Sequence, residues 1–109
     1  MFAIVMNQFG SPAVMQIDEV ATPQPGADEV LIEVMVADVN PVDAKERAGV
    51  LARSYDYPFP LVPGFDAAGV VCQVGANVRH LREGDRVMTG SNHGPGCWGN
   101  YAQYTCDGR

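Results

Sequence analysis

The stretch from Pro58 to Val87, PFPLVPGFDAAGVVCQVGANVRHLREGDRV, limits the possible folds more than any other part of the chain. Its opening is held extended, and kept from forming a helix, by three closely spaced prolines: Pro58, Pro60 and Pro63. Gly64 then permits a turn. The small and β-branched residues of Phe65–Val74 are typical of a strand, and a second strand is predicted at Arg86–Thr89 after glycine-rich turns. The stretch therefore predicts the core of a mainly β unit.

The N-terminal part of the chain shows a hairpin pattern and then a long strand. Phe2–Met6 and Val14–Val20 are predicted to pair as a hairpin, and the proline-containing segment Ala21–Asp28 is predicted to be a loop. Glu29–Val39 alternates with a period of two, which predicts a strand. One face of this strand is fully apolar: Val30, Ile32, Val34 and Val36. We expect that face to lie in the core.

A short helix is predicted over Pro41–Ala48. Asn40 is suited to the N-cap, proline to the first helical position, and the acidic Asp43 to the positive end of the helix. Gly49 is expected to end the helix. The predicted outward face carries the charged residues Lys45, Glu46 and Arg47. The following segment, Val50–Tyr57, is ambiguous and is interpreted as a loop.

The end of the chain contains a glycine pattern that resembles a dinucleotide-binding fingerprint. Gly94–Gly99 reads G-x-G-x-x-G, but a strand is predicted after it (Asn100–Thr105) where the fingerprint requires a helix. Pro95 also removes one of the N–H groups that would bind a phosphate. We therefore interpret the segment as a glycine-rich loop.

The composition excludes several classes of function. The formal net charge is −6 and the seven Lys and Arg residues form no run, which disfavours nucleic-acid and anionic-membrane partners. There is no apolar run of membrane-spanning length and no signal-peptide pattern at the start. Three unevenly spaced cysteines favour free thiols in a reducing compartment, so the predicted location is cytoplasmic. A chain of 109 residues without a linker predicts one domain.

Residue types alone give only weak candidates for chemistry. His93 and Cys97 lie four positions apart, but they lack the spacing and the third ligand of a zinc site. Asp43 and Asp66 could act as an acid and a base, although carboxylates at a helix start and a strand start are commonly structural. No catalytic triad can be assigned from the sequence.

Four motifs in order carry a family resemblance: VNPVDAKERAG (Val39–Gly49), PLVPGFDAAGVVCQV (Pro60–Val74), GDRV (Gly84–Val87) and GNYAQY (Gly99–Tyr104). With them the chain resembles the N-terminal GroES-like catalytic domain of medium-chain dehydrogenase/reductases. It is most similar to the zinc-independent quinone oxidoreductase and enone reductase branch. The resemblance implies a mainly β fold, a partly open and incomplete GroES-like β-barrel with one or two short helices.

The choice of branch depends on three positions. Zinc alcohol dehydrogenases carry a cysteine ligand where this chain has Asn40, and histidine and glutamate where it has Phe65 and Asp66. Phenylalanine cannot bind a metal and asparagine is a poor zinc ligand. The resemblance therefore implies hydride transfer without a catalytic zinc, and no metal site is predicted.

The resemblance also implies site residues. The implied catalytic residues are Asn40, Lys45 and Tyr55, and the implied cofactor-binding residues are Asn40, Pro41 and Asp43. The alternative for Asn40 is a simple N-cap, and for Lys45 an exposed helix charge. Many quinone oxidoreductases have a tyrosine at the position of Leu51, so Tyr55 is only a possible substitute as proton donor.

The resemblance places residues 1–109 as an N-terminal domain, with the Rossmann cofactor domain absent. The intact enzyme would use NADPH or NADH to reduce a quinone or an α,β-unsaturated carbonyl. The chain alone is expected to be inactive and to bind no cofactor tightly, and its open strand edges favour homo-oligomers. The alternative is a non-catalytic GroES-like β-domain that acts as a binding or self-association module. A co-chaperonin is a weaker alternative, because it gives the NPVD and GFDAAG motifs no purpose.

Overall fold

A hairpin and a curved four-stranded sheet make up the fold. The structure, a computed structural model, describes residues 1–53, 59–90 and 99–108. The hairpin pairs strand β1 (Phe2–Val5) with strand β2 (Gln16–Glu19) in antiparallel orientation. A 3₁₀ turn at Pro12–Val14 lies between them. The predicted hairpin is therefore confirmed, with a shorter second strand. No helix in the described ranges has the length and apolarity needed to cross a membrane.

The larger sheet contains four antiparallel strands: β3 (Val30–Ala37), β4 (Asp66–Val74), β5 (Arg86–Gly90) and β6 (Tyr104–Asp107). Their order across the sheet is β5-β4-β3-β6. Within the described residues the strands form two sheets and no closed barrel. The mainly β, partly open architecture expected from the sequence is thus confirmed.

The four-stranded sheet curves around a small apolar core. Val30, Ile32 and Val71 are buried on its concave face, against the half-buried Val74, Val78, Leu81 and Val87. The curvature brings the two edge strands close together. The hydroxyl of Thr89 in β5 donates a hydrogen bond to the carboxylate of Asp107 in β6. The concave face is therefore closed at this point by side chains.

The predicted apolar face of β3 is wrong in its second half. Val30 and Ile32 are buried as expected, but Val36 is 59% exposed. The cause is an irregularity in the pairing with β4: Val34 lies opposite Gly69, and Val36 lies opposite the adjacent residue Ala68. Met35 is the extra residue, and such a bulge turns the following side chains to the other face. Val36 consequently lies on the convex face.

Helix α1 spans Pro41–Ala48, as predicted, with Asn40 at its N-cap. Gly49 ends the helix in the left-handed region, at φ +87°. A 3₁₀ helix at Val50–Arg53 follows, in a segment that was expected to be a loop. The prediction that Glu46 faces outward is wrong, because its side chain is completely buried. Lys45 is exposed and Arg47 half-buried.

The last strand lies further along the chain than the predicted Asn100–Thr105. It begins at Tyr104, and the residues before it cross strand β1 instead. Ala102 forms an isolated bridge with Ala3, and the N–H of Ile4 donates to the carbonyl of Tyr101 at 2.8 Å. This crossing takes Tyr101 out of the sheet and towards the start of α1.

Candidate functional site

The carboxylate of Asp43 is the centre of a polar cluster at the start of helix α1. Its Oδ2 accepts hydrogen bonds from the N–H of Asn40 at 2.9 Å and from the hydroxyl of Tyr101 at 2.6 Å. Its Oδ1 accepts from the N–H of Phe65 at 3.1 Å. The residue is only 4% exposed. One side chain therefore joins three parts of the chain: the helix start, the segment before β4 and the segment before β6.

The position of Asp43 in the sequence accounts for its burial. It is the third residue of α1, where the backbone N–H groups point outward and negative charge is favoured. A buried carboxylate is tolerated only when hydrogen bonds replace water. The bonds from Asn40, Phe65 and Tyr101 replace that water, so the carboxylate can act as a fixed acceptor inside the domain.

Tyr101 serves this cluster as a hydrogen-bond donor. Burial is the largest cause that raises the pKa of its hydroxyl, followed by the hydrogen bond to Asp43 and the charges of Asp43 and Glu46. The raised pKa keeps the hydroxyl protonated near neutral pH. Tyr101 is therefore suited to hold the carboxylate in place and is not suited to release a proton.

Gly64 provides the space that the ring of Tyr101 occupies. Its φ is +111°, and a Cβ placed on it would lie 2.6 Å from Cδ1 of Tyr101. The segments on either side also pair, since the N–H of Tyr101 donates to the carbonyl of Pro63 at 3.0 Å. The side chain of Asn100, itself buried, donates to the carbonyl of Phe65 at 3.0 Å. These contacts fix the backbone that leads into β4.

Asn40 is the half-buried polar residue at the edge of the cluster. Its side-chain Nδ2 donates a hydrogen bond to Oδ2 of Asp66 at 2.9 Å. Asp66 is the first residue of β4, and its carbonyl accepts the N–H of Asp38 at 3.1 Å. The Asn40 amide is thus placed between the end of β3 and the start of β4, beside solvent.

A shallow depression extends from Asp66 over the convex face of the sheet. Asp38 and Asp66 lie at one end, and the rest of its lining is mainly apolar or small: Val36, Ala67, Ala68, Met88, Thr89 and Gly90. Val36, Ala68 and Met88 are direct partners across β3, β4 and β5. In the described part of the chain, no group of three or more His, Cys, Asp and Glu side chains is arranged to hold a metal ion.

The structure brings some of the predicted site residues together. Asn40, Asp43 and Asp66 lie within one hydrogen-bonded network, and Pro41 is the exposed first residue of the helix beside it. Lys45 is exposed on the helix surface. Tyr55 lies outside the described residues, as do His93 and Cys97.

Sequence reasoning missed the contribution of Tyr101 and Asn100. Both residues fall in the strand predicted at Asn100–Thr105, and a strand gives them no role in a polar cluster. The signal that could have revealed them is the glycine before Asn100, since a glycine followed by asparagine is typical of an irregular segment.

A short helix capped by Asn40, whose buried Asp43 is bonded to Tyr101 and to the segment before β4, beside a curved antiparallel sheet, fits a GroES-like domain of the alcohol dehydrogenase type. The model of the alcohol dehydrogenase GroES-like domain family matches residues 26–107. The chain belongs to this family.

The chain is also similar to larger enzymes. It is 41% identical over 110 residues to the chloroplastic NADPH-dependent alkenal/one oxidoreductase of Arabidopsis thaliana, an alignment that covers 96% of the chain and 28% of that protein. Among solved structures, the quinone oxidoreductase of Coxiella burnetii matches 99% of the chain at 34% identity with a TM-score of 0.89. The Escherichia coli quinone oxidoreductase complexed with NADPH matches 99% of the chain at 29% identity with a TM-score of 0.84.

The chain covers only part of the length of these relatives. It spans 28% of the Arabidopsis protein and 34% of the Coxiella chain. The described residues therefore correspond to one part of such enzymes.

Proposed function

We propose that the chain is the N-terminal domain of an NADPH-dependent oxidoreductase that reduces quinones or α,β-unsaturated carbonyls by hydride transfer. The relatives support this reaction class, since they include an alkenal/one oxidoreductase and several quinone oxidoreductases. The observation that carries the proposal is the Asn40 amide, which is held at the edge of the Asp43 network and is partly open to solvent.

The residues around Asn40 can form one wall of a site for a nicotinamide cofactor and a carbonyl substrate. NADPH, when bound, supplies the hydride. The Asn40 amide keeps one N–H after its bond to Asp66, and such a donor stabilises negative charge that develops on a substrate oxygen. We propose that the second wall of the site, including the groups that hold the cofactor phosphates, belongs to a Rossmann domain outside residues 1–109. The chain alone is then inactive and binds the cofactor weakly.

The other site residues have different proposed roles. Asp43 is buried and its carboxylate accepts three hydrogen bonds, so we assign it an indirect role in which it holds the Asn40 backbone. Pro41 is the exposed surface of the helix start, and Lys45 is a cation one turn further along that is able to meet a cofactor or substrate. The role of Tyr55 as proton donor stays a prediction.

We propose that hydride transfer proceeds without zinc. An amide at Asn40 and a phenyl ring at Phe65 are poor replacements for the thiolate and imidazole that bind catalytic zinc. The side chains that remain act by hydrogen bonding and by excluding water.

The proposed location is the cytoplasm, which rests on the cysteines. Cys72 and Cys106 are free thiols in the structure. The Arabidopsis relative is described as chloroplastic, so the compartment differs between similar proteins.

A non-catalytic association module is the second candidate. The observation that favours it is the apolar convex face, where Met35, Val36 and Met88 are 58%, 59% and 89% exposed. Exposed apolar surface of this kind marks contacts with other polypeptides. In this alternative the isolated chain forms homo-oligomers and has no redox role.

A chimeric enzyme tests the proposed function. Residues 1–108 replace the equivalent N-terminal segment of the Coxiella quinone oxidoreductase, which their TM-score of 0.89 makes feasible. We expect quinone- or enone-dependent oxidation of NADPH, and a loss of about tenfold or more with Asn40→Ala. The unmodified Coxiella enzyme is the control. A chimera that folds and binds NADPH but reduces neither substrate class contradicts the proposal.

Two measurements on the isolated chain complete the test. Titration of residues 1–109 with NADPH is expected to show no stoichiometric binding at micromolar concentration, since we propose that the groups that hold the cofactor phosphates lie outside this range. Sedimentation of the same sample addresses the module alternative. A stable oligomer together with an inactive chimera favours that alternative.

A further inference from the structure

We propose that Asp66 is a positioning residue that sets the orientation of the Asn40 side-chain amide. The expected effect on kcat rests on the proposed function, whereas the orientation of the amide does not. Asp66 itself is not required to touch a substrate or a cofactor. It acts through Asn40, at the edge of the site described above.

The chemistry of the two side chains allows only one orientation. Nδ2 of Asn40 lies 2.9 Å from Oδ2 of Asp66. An ionised carboxylate can accept hydrogen bonds but cannot donate them, whereas an amide has one accepting end and one donating end. If the amide were turned around, its Oδ1 would face the carboxylate and the two oxygens would repel each other. Asp66 therefore keeps Nδ2 directed at its carboxylate and Oδ1 turned away from it.

Both ends of this hydrogen bond are fixed by the backbone. The N–H of Asn40 is held by Oδ2 of Asp43 at 2.9 Å. The carbonyl of Asp66 accepts the N–H of Asp38 at 3.1 Å, and Asp66 pairs with Gly90 in the sheet. Within this backbone frame the amide can still rotate about its side-chain torsions, the last of which is intrinsically broad for asparagine. The hydrogen bond to Asp66 restricts that rotation.

A fixed amide presents a defined pattern to a ligand. One N–H of Asn40 is used by Asp66, so one N–H donor of the amide remains. A carbonyl oxygen that gains negative charge during hydride transfer needs the donor in place before the reaction begins. A rotated amide would instead present its oxygen to that charge. The orientation set by Asp66 thus decides whether Asn40 helps or opposes the reaction.

Asp38 provides a matched control. It is an exposed aspartate at the end of β3, on the same depression as Asp66. Its backbone N–H takes part in the network, whereas no side-chain hydrogen bond from it to Asn40 exists among the described residues. Asp38→Ala removes a negative charge close to the site without removing the positioning contact.

The geometric claim is tested on the chain itself by proton–nitrogen correlation NMR. The side-chain Nδ2 signals of Asn40, assigned with Asn40→Ala, are expected to move and to converge in Asp66→Ala, because the hydrogen bond distinguishes the two protons. Asp38→Ala is expected to leave their separation unchanged. Circular dichroism confirms that each variant is folded. Unchanged Asn40 signals in a folded Asp66→Ala protein overturn the inference.

The functional claim is tested in the chimeric enzyme. Asp66→Ala is expected to lower kcat by about tenfold with little change in KM for NADPH, as is usual for a small misplacement of a reacting group. Asp66→Asn is expected to restore most of kcat, since its Oδ1 still accepts from Nδ2 although the charge is gone. Asp38→Ala should have little effect. If Asp66→Asn is as slow as Asp66→Ala, or if Asp38→Ala is equally slow, charge explains the effect and the inference is wrong.

The two tests separate the inference from the proposed function. If the chimera with unchanged Asp66 is inactive, the proposed function fails and the NMR result alone decides the positioning claim. If the chimera is active but the Asn40 side-chain signals are unchanged in Asp66→Ala, the proposed function stands and the inference fails.

Discussion

The hydroxyl of Thr89 donates to the carboxylate of Asp107 across the two edges of the four-stranded sheet. β5 and β6 share no ladder, so this is a contact between side chains at positions where a closed barrel would have backbone hydrogen bonds. Thr89 and Asp107 are only 7% and 8% exposed. The two edges of the curved sheet are therefore joined by a buried polar contact between side chains.

Removal of the Thr89 hydroxyl is expected to destabilise the domain. Thr89→Val should lower the free energy of unfolding by about 1–3 kcal/mol, because a buried carboxylate loses a donor. Thr89→Ser keeps the hydroxyl and is the control, with a smaller loss. Urea unfolding followed by circular dichroism measures both. Equal stability of Thr89→Val and the unmodified chain would show that the contact does not hold the edges together.

Gly64→Ala is expected to cost more than the same change at Gly84. Both glycines have positive φ, +111° and +92°, so alanine is strained at each by about 1–2 kcal/mol. Only at Gly64 does the new Cβ meet an obstacle, Cδ1 of Tyr101 at 2.6 Å, whereas nothing lies within 4 Å at Gly84. Overpacking should add about 1–3 kcal/mol at Gly64. Similar losses in thermal or urea unfolding would contradict the packing of Tyr101 on Gly64.

Tyr101→Phe tests the hydrogen bond that holds Asp43. The variant keeps the ring and loses a donor to a buried carboxylate, so the free energy of unfolding should fall by about 1–3 kcal/mol. Tyr104→Phe is the matched control, a half-buried tyrosine in β6. Denaturant unfolding of the two variants is compared directly. A loss no larger than that of Tyr104→Phe would show that the Tyr101 hydroxyl contributes nothing.

Stability is expected to decline in alkaline solution. Burial raises the pKa of the Cys106 thiol from 9.0 to about 11, with smaller contributions from Glu29 and Cys72. The folded state thus keeps a proton that the unfolded chain loses, so stability is constant below pH 9 and falls between pH 9 and 11. Tyr101 adds a change of the same sign above pH 10. Cys106→Ala should reduce the slope of unfolding free energy against pH in the first window, and an unchanged slope there would contradict the assignment.

Metal analysis tests the proposed zinc-free chemistry. Protein purified without chelator should contain zinc well below one equivalent, because Asn40 and Phe65 replace two ligands of the zinc enzymes. A sample treated with chelator and repurified is the control. Stoichiometric zinc that is lost in the control would place the chain with the zinc enzymes.

The sequence predicted well those helices and strands that are determined by residues close together in the chain. Helix α1 was predicted at its observed bounds because Asn40, Pro41 and Gly49 act within one turn of the backbone they shape. Strands β4 and β5 were predicted equally well, since they are rich in β-branched residues and are bounded by glycine turns. In the site, the grouping of Asn40 with the Pro41–Asp43 segment followed from the family motif.

Contacts between distant segments could not be predicted in the same way. The burial of Glu46 and the role of Tyr101 depend on segments that approach only in the folded protein, 58 residues apart in the case of Asp43 and Tyr101. The exposure of Val36 depends on a bulge at Met35, which no pattern within β3 reveals. The hydrogen bond between Asn40 and Asp66 spans 26 residues, and from the sequence only the family resemblance, in which both stand at zinc-ligand positions of related enzymes, groups them together.

The fit of the Tyr101 ring over Gly64 has a consequence for how related sequences can vary. A side chain at position 64 and a ring at position 101 compete for the same volume, so neither position can enlarge independently. A replacement of the glycine requires a smaller residue in place of the tyrosine, and Asp43 would then need another donor. Positions 43, 64 and 101 should accordingly change as a set or remain as they are.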